Sequence, residues 1–296
     1  MDQKLSCALG CFDGVHIGHK ALLTAAVRNF HGYTPAVWTF TAPTVYPYIE
    51  DVPTRLSLCR EHGIKEFICE DYDSVRTMSP EEFVSRLAQT HGVGHFICGG
   101  DFRFGHDRAG DAETLKEICL GKGLSVTIVS PVMADSVLPE LAGEKVSSSL
   151  IRRLIASGEV DRAAALLGRR FSVRGEVVGG KRLGRTMHLP TVNQRLEKGR
   201  ILPGAGVYDT VCTAKGNRYP AVTNVGSRPT VNDDESDVTC ETHIIGADMD
   251  LYGSEVTVEF YRYGRPEKRF SSIDGLKNAI EGDIKRASEY FARLGI

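Results

Sequence analysis

The stretch Leu5-Ser6-Cys7-Ala8-Leu9-Gly10-Cys11-Phe12-Asp13-Gly14-Val15-His16-Ile17-Gly18-His19 decides how this chain is read. It opens with an apolar run suited to a buried strand over 5–11, turns through glycine, and enters an amphipathic segment suited to a helix over 19–30. A strand, a glycine turn and a helix start present backbone N–H groups and the positive end of a helix dipole, which together cradle phosphate. Gly10, Asp13 and Gly14 are the phosphate-binding candidates of that turn, and His16 and His19 add donors without a permanent charge. A pair of helix-start histidines bonded to backbone would produce the same short pattern. Cys7, Cys11, His16 and His19 could also be counted as four zinc ligands. Period-two alternation, however, puts Cys7 and Cys11 on one strand face with Leu9, and the spacing is not that of a structural zinc finger.

Outward from this stretch, apolar β-rich runs alternate with amphipathic segments. Strands are expected over 5–11, 36–40, 64–70, 96–99 and 125–131, and helices over 19–30, 54–62, 80–91 and 112–122. Ser79 and Glu82 form an S-x-x-E capping box for the third helix. The alternation predicts an α/β domain, a parallel sheet with helices on both faces. Two short helices follow, over 149–156 and 160–167, the second ended by Gly168. From Phe171 to Arg262 the runs become β-rich, separated by Gly, Pro, Asn and Asp, which predicts a small antiparallel barrel or sandwich. Ile273, Leu276, Ile280, Ile284, Ala287, Phe291 and Leu294 then mark one stripe of a terminal helix that packs on the barrel. The expected domains are 1–168 and 169–296.

Composition narrows the function. The chain has 296 residues, 42% hydrophobic and 25% charged, as in packed globular proteins. Its 36 basic and 38 acidic residues nearly cancel, so nothing draws it as a whole to nucleic acid or to an anionic membrane, and any polyanion must be held locally. Eight cysteines without close CxxC pairs read as thiols rather than a disulfide framework. The N-terminus lacks the pattern of a secretory signal and no run is long enough to span a bilayer, so a cytoplasmic location is expected.

A second element joins the first. Lys145-Val146-Ser147-Ser148-Ser149-Leu150-Ile151-Arg152 supplies hydroxyls at another predicted helix start and a guanidinium one turn later, a set suited to triphosphate oxygens. HxGH with a later serine-rich, arginine-bearing helix start resembles the nucleotidylyltransferase superfamily. Gly99-Gly100-Asp101-Phe102-Arg103-Phe104-Gly105, followed by Arg108 and Gly110-Asp111, narrows the resemblance to the FMN adenylyltransferase module of bacterial FAD synthetases. The resemblance implies that ATP binds at the strand ends and that FMN phosphate attacks its α-phosphorus in line. His16, His19, Ser147, Ser148, Ser149 and Arg152 would hold the triphosphate, Asp101 would sit near the adenosine or flavin pocket as a flavin-binding candidate, and Phe104 would border the flavin. Two departures stand out: Thr39-Phe40-Thr41-Ala42-Pro43-Thr44 lacks the histidine of the family's T-F-x-P-H-P, and the serine motif ends Ser149-Leu150 where the family commonly has Thr and often another basic residue.

In the C-terminal half, Gly179-Gly180-Lys181-Arg182 leads to Pro190-Thr191-Val192-Asn193. Glycines allow close approach to phosphate, and Thr and Asn offer hard neutral oxygens for Mg²⁺. With Gly206-Val207-Tyr208, Thr223-Asn224, Glu241-Thr242-His243, Leu251-Tyr252-Gly253 and Arg265-Pro266-Glu267 following in order, the half resembles riboflavin kinase. The resemblance implies a six-stranded barrel with Glu241 as general base, Thr191 and Asn193 as magnesium ligands, Gly179 and Lys181 near phosphate, and Arg265 near flavin. Met187-His188-Leu189 departs from the family's Leu-Gly-Phe. The whole chain thus resembles the bifunctional riboflavin kinase/FAD synthetase family, which implies riboflavin, FMN, FAD and ATP as its small-molecule partners. The alternatives are one surviving activity, or a flavin- or nucleotide-binding regulatory protein without catalysis.

Overall fold

The computed structural model describes residues 4–28, 30–179, 190–228, 237–247, 249–268 and 270–296. The chain forms two compact units, Met1–Leu150 and Ile151–Ile296. Among the described residues of the first unit, strands β1 (Leu5–Leu9), β2 (Thr34–Phe40), β3 (Glu66–Glu70), β4 (Val93–Gly99) and β5 (Ser125–Val129) form one sheet in the order β3-β2-β1-β4-β5. Every pairing is parallel. Alternation sends successive side chains to opposite faces. Cys7, Leu9, Ala36, Trp38, Phe96 and Cys98 pack in one cluster with Phe83, Leu87 and Leu115, whereas Ala8, Val37 and Ile97 pack in another with Leu23, Ala26 and Cys59. The helices of the unit, α1 (Ile17–Val27), α2 (Val52–Glu61), α3 (Tyr72–Val75), α4 (Pro80–His91) and α5 (Ala112–Gly121), supply those partners, so the sheet is covered on both faces.

The caps explain where helices begin. Ser79 Oγ accepts from the Glu82 N–H at 3.2 Å and Glu82 returns a bond from the Ser79 N–H at 2.7 Å, the reciprocal box read in the sequence. Two expectations shift. Helix α1 begins at Ile17 rather than 19, because His16 caps it; and β1 ends at Leu9, so Cys11 lies in the following loop, exposed, and does not share a strand face with buried Cys7.

In the second unit, α6 (Ser148–Ala156, which begins at the end of the first) and α7 (Val160–Leu167) precede the strands, and Gly168 closes α7 with a left-handed φ of 66°. Strands β6 (Phe171–Val178), β7 (Thr191–Arg195), β8 (Gly206–Ala214), β9 (Asn217–Arg228), β10 (Asp237–Ile244) and β11 (Glu255–Arg265) close into an antiparallel barrel in the order β10-β7-β6-β11-β8-β9. Closure leaves no free edge. Strand β7 carries Thr191 and Asn193 of the Pro190-Thr191-Val192-Asn193 motif. Helix α8 (Ile273–Leu294) lies on the barrel: Ala287 and Phe291 are fully buried against Val207, Val211, Val222 and Tyr261, and Ile284 joins them. Its ends overhang, leaving Ile273 and Leu294 exposed.

Candidate active sites

In the order β3-β2-β1-β4-β5 the winding reverses between β1 and β4, and their loops part there, where open parallel sheets take ligands. A cleft of about 1360 Å³ opens at this point, lined by Leu9, Gly10, Gly99, Gly100 and Asp101 from the strand ends and by His16, His19, Ser147, Ser148 and Ser149 from two helix starts.

The loop after β1 is held in an uncommon backbone. Phe12, Gly14 and Val15 have φ of 51°, 84° and 39°. Left-handed backbone in a β-branched residue costs on the order of 1–3 kcal/mol and persists only where surroundings impose it. Here Phe12 and Val15 anchor in the core. Asp13 supplies the other restraint: its carboxylate accepts from the Ile49 N–H at 3.0 Å, the Glu50 N–H at 3.1 Å and Arg55 Nη2 at 3.0 Å. Arg55, also buried, donates to the carbonyls of Cys11 and Glu50. The Asp13 side chain therefore faces inward and does not line the cleft.

His16 Nδ1 accepts from the His19 N–H at 3.2 Å, which in the neutral ring assigns the proton to Nε2. The two imidazoles stack with centroids 3.6 Å apart and planes 19° from parallel. Gly18 makes it possible: a Cβ there would lie 3.1 Å from the His16 ring. Across the cleft, Ser147 Oγ accepts from the Leu150 N–H at 3.2 Å, and Ser148 Oγ donates to the Asp13 carbonyl at 2.8 Å. Arg152 is half-buried, one turn along α6, in the second unit.

Asp101 projects from the end of β4 and is paired with Lys145; that hydrogen bond holds its carboxyl below the usual range. Lys145 lines the cleft and was not singled out in the sequence, although it stands two residues before the serines. Phe104 is mostly buried and stacks on Phe102, with centroids 5.5 Å apart. Pro43 and Thr44 line the cleft where the family pattern runs P-H-P, and Cys11 Sγ lies 3.7 Å from Thr44 Oγ1.

In the barrel, Glu241 lies mid-strand in β10. The register sets Asn193 of β7 opposite it on one side and Asn224 of β9 on the other. Directly paired positions share a face, so Asn193, Glu241 and Asn224 form one row. Thr191, two residues before Asn193, belongs to the same face and pairs with His243, whose Nδ1–H donates to the Pro190 carbonyl at 2.9 Å. The other face is closed by buried hydroxyls, Thr210 to Thr223 at 2.8 Å and Thr223 to Thr242 at 2.9 Å. The row is therefore backed by a rigid wall, and it gathers carboxylate, amide and hydroxyl oxygens suited to a hard cation and to a hydroxyl nucleophile. Asn224 is a member that the sequence reading quoted without assigning it a role. Gly179 follows β6; Lys181 and Met187-His188-Leu189 lie outside the described residues. Arg265, at the end of β11, forks onto Asp283 of α8 with Nη2–Oδ2 at 2.7 Å and Nε–Oδ2 at 3.0 Å.

Known proteins match in the same two halves. The FAD synthetase family matches residues 1–149 and the riboflavin kinase family residues 167–291. A bifunctional riboflavin kinase/FMN adenylyltransferase of Pseudomonas fluorescens is 35% identical over 94% of this chain and 90% of its own length. The protein of that description from Escherichia coli K12 is 32% identical over 96% of this chain and 91% of its own. A crystal structure described as a macrolide-efflux protein from Streptococcus pneumoniae superposes with a TM-score of 0.86 at 27% identity, covering 97% of this chain and 95% of that one. Among the described residues no helix is long and apolar enough to cross a membrane.

Proposed function

Since the chain belongs to the bifunctional riboflavin kinase/FMN adenylyltransferase family, it uses ATP to phosphorylate riboflavin to FMN and to adenylylate FMN to FAD, and we propose which residues carry each step. Adenylyl transfer is assigned to residues 1–168 and phosphorylation to 169–296, with the cytoplasm as the place of work. Both halves match their enzyme families, which favours two activities over the single-activity and pure-binding readings.

In the first half, a phosphate oxygen of FMN attacks the α-phosphorus of ATP while the bond to pyrophosphate breaks. No covalent enzyme intermediate is needed, so the protein contributes position and charge stabilisation. We assign His16, His19, Ser147, Ser148, Ser149 and Arg152 to the triphosphate, with Gly10 and Gly14 allowing close backbone approach. The stacked imidazoles at the start of α1 support this role, because fixed N–H donors beside a helix N-terminus favour developing negative charge. Asp13 acts through its contacts with Ile49, Glu50 and Arg55, shaping the loop rather than touching phosphate. Asp101 and Phe104 border the flavin.

In the second half, Glu241 takes the proton of riboflavin's terminal ribityl hydroxyl as its oxygen attacks the γ-phosphorus and the bond to ADP breaks. The observation that carries this assignment is the row Asn193–Glu241–Asn224, a carboxylate flanked by amides on adjacent strands. Thr191 and Asn193 would hold Mg²⁺; their hydroxyl and amide oxygens suit a hard cation that keeps water and phosphate among its ligands, and the ion would offset phosphate charge. Gly179 and Lys181 are assigned to phosphate and Arg265 to the flavin edge.

The test supplies riboflavin, or separately FMN, with ATP and Mg²⁺ and resolves flavins chromatographically. The assignment requires riboflavin to pass through FMN to FAD, and phosphorylation to stop in Glu241→Gln; undiminished phosphorylation in that variant would remove Glu241 from the role of base.

A further inference from the structure

We infer that Glu267 is a positioning residue of the phosphorylation site and that the terminal helix sets its place through Asp283. The inference rests on the reading of Glu241 as base. Glu267 follows Arg265-Pro266 at the end of β11, and its Oε1 lies 2.5 Å from where a Cβ of Gly226 would stand. Asn224 Nδ2 lies 3.4 Å from that same point. The missing side chain of Gly226 is thus the notch that admits an exposed carboxylate to the sheet face, beside the amide next to Glu241 in the row. A carboxylate in that notch can take the Asn224 amide N–H and so fix which way Asn224 presents its oxygen.

The segment bearing Glu267 is anchored by charge. Arg265 forks onto Asp283 of α8, which is only 3% exposed, and Asp283 also accepts from Arg286 at 2.6 Å. Arg286 reaches on to Asp209, fully buried, at 3.1 Å, and Arg262 meets the same carboxylate at 2.6 Å. Gly264 leaves room for this crossing, since a Cβ there would overlap the Arg286 guanidinium. Barrel, helix and the Glu267 segment are therefore linked by Arg262, Asp209, Arg286, Asp283 and Arg265 in sequence.

The test uses the full chain with Glu267→Gln, Glu267→Asp, Asp283→Asn and, alongside, Glu241→Gln. Riboflavin phosphorylation is measured together with riboflavin binding by fluorescence quenching. The inference predicts that Glu267→Gln loses at least tenfold in kcat with riboflavin binding stoichiometry unchanged and Kd within twofold, that Glu267→Asp recovers part of the loss, and that Asp283→Asn loses rate likewise. Phosphorylation within twofold of the parent in Glu267→Gln overturns it, as does a loss matched by fewer binding sites, which marks a structural role, and an unaffected Asp283→Asn removes the helix from it. An active Glu241→Gln would instead refute the base assignment, a separate outcome.

Discussion

Ser148 Oγ donates to the Asp13 carbonyl at 2.8 Å across 135 residues of sequence, joining the serine-bearing helix start to the loop that carries His16 and His19. The two motifs read separately in the sequence are thus physically one device. Ser148→Ala removes this tie as well as a hydroxyl at the cleft. Adenylyl transfer is expected to fall at least tenfold while riboflavin phosphorylation is unchanged, with a stability cost of about 1 kcal/mol measurable by urea unfolding.

The stacked imidazoles are expected to act as donors rather than as a base. His19→Gln keeps an N–H donor but loses the stack on His16, and His16→Ala loses both ring and helix cap. The expected order of adenylyl-transfer rates is parent, His19→Gln, His16→Ala, with the last reduced about 10²-fold or more. Steady-state rates from supplied FMN check the order.

His95 is buried between Ser6 and Thr127, with Nδ1 2.9 Å from Ser6 Oγ and Nε2 2.9 Å from Thr127 Oγ1. Burial pushes its pKa down to about 4. A histidine depressed in the folded state lends stability that is complete above its unfolded pKa of about 6.5 and is lost as pH falls from there toward 4. Unfolding followed at pH 7.5 and pH 5 should show the parent losing about 2 kcal/mol across that window. His95→Gln should lose less over the same window.

Asp209 is fully buried beneath Arg262 and Arg286. Removing one partner of a buried pair leaves charge uncompensated, so Asp209→Ala should destabilise the barrel by about 3 kcal/mol and loosen α8. Thermal unfolding and hydrogen exchange over 273–294 check both effects. This network shows where sequence reading stops. The stripe Ile284, Ala287 and Phe291 announces a helix that packs on apolar residues, but nothing in local spacing reveals that Asp283 and Arg286 also point into the contact.

The same limit explains the other shifts. Cys7, Ala8 and Leu9 alternate between two cores, and that alternation is visible in sequence as a strand of a doubly covered sheet. Strand β7 hides because Thr191, Asn193 and Gln194 are polar and follow a proline, so only its pairing with β6 and β10 makes it a strand. Asp13 reads as part of a phosphate loop until Arg55, forty-two residues away, is seen to hold it. HxGH and the serine motif were legible because their chemistry is local; Lys145 on Asp101 and Asn224 beside Glu241 depend on contacts made only on folding.

The most direct test of two separately assigned sites is a time course of riboflavin, FMN and FAD, fed from either flavin, in Glu241→Gln and in His16→Ala. The assignments predict that Glu241→Gln leaves riboflavin unconverted yet turns supplied FMN into FAD, while His16→Ala accumulates FMN from riboflavin. Riboflavin phosphorylation by Glu241→Gln at the parent rate, or FAD formed by His16→Ala at the parent rate, would contradict the account.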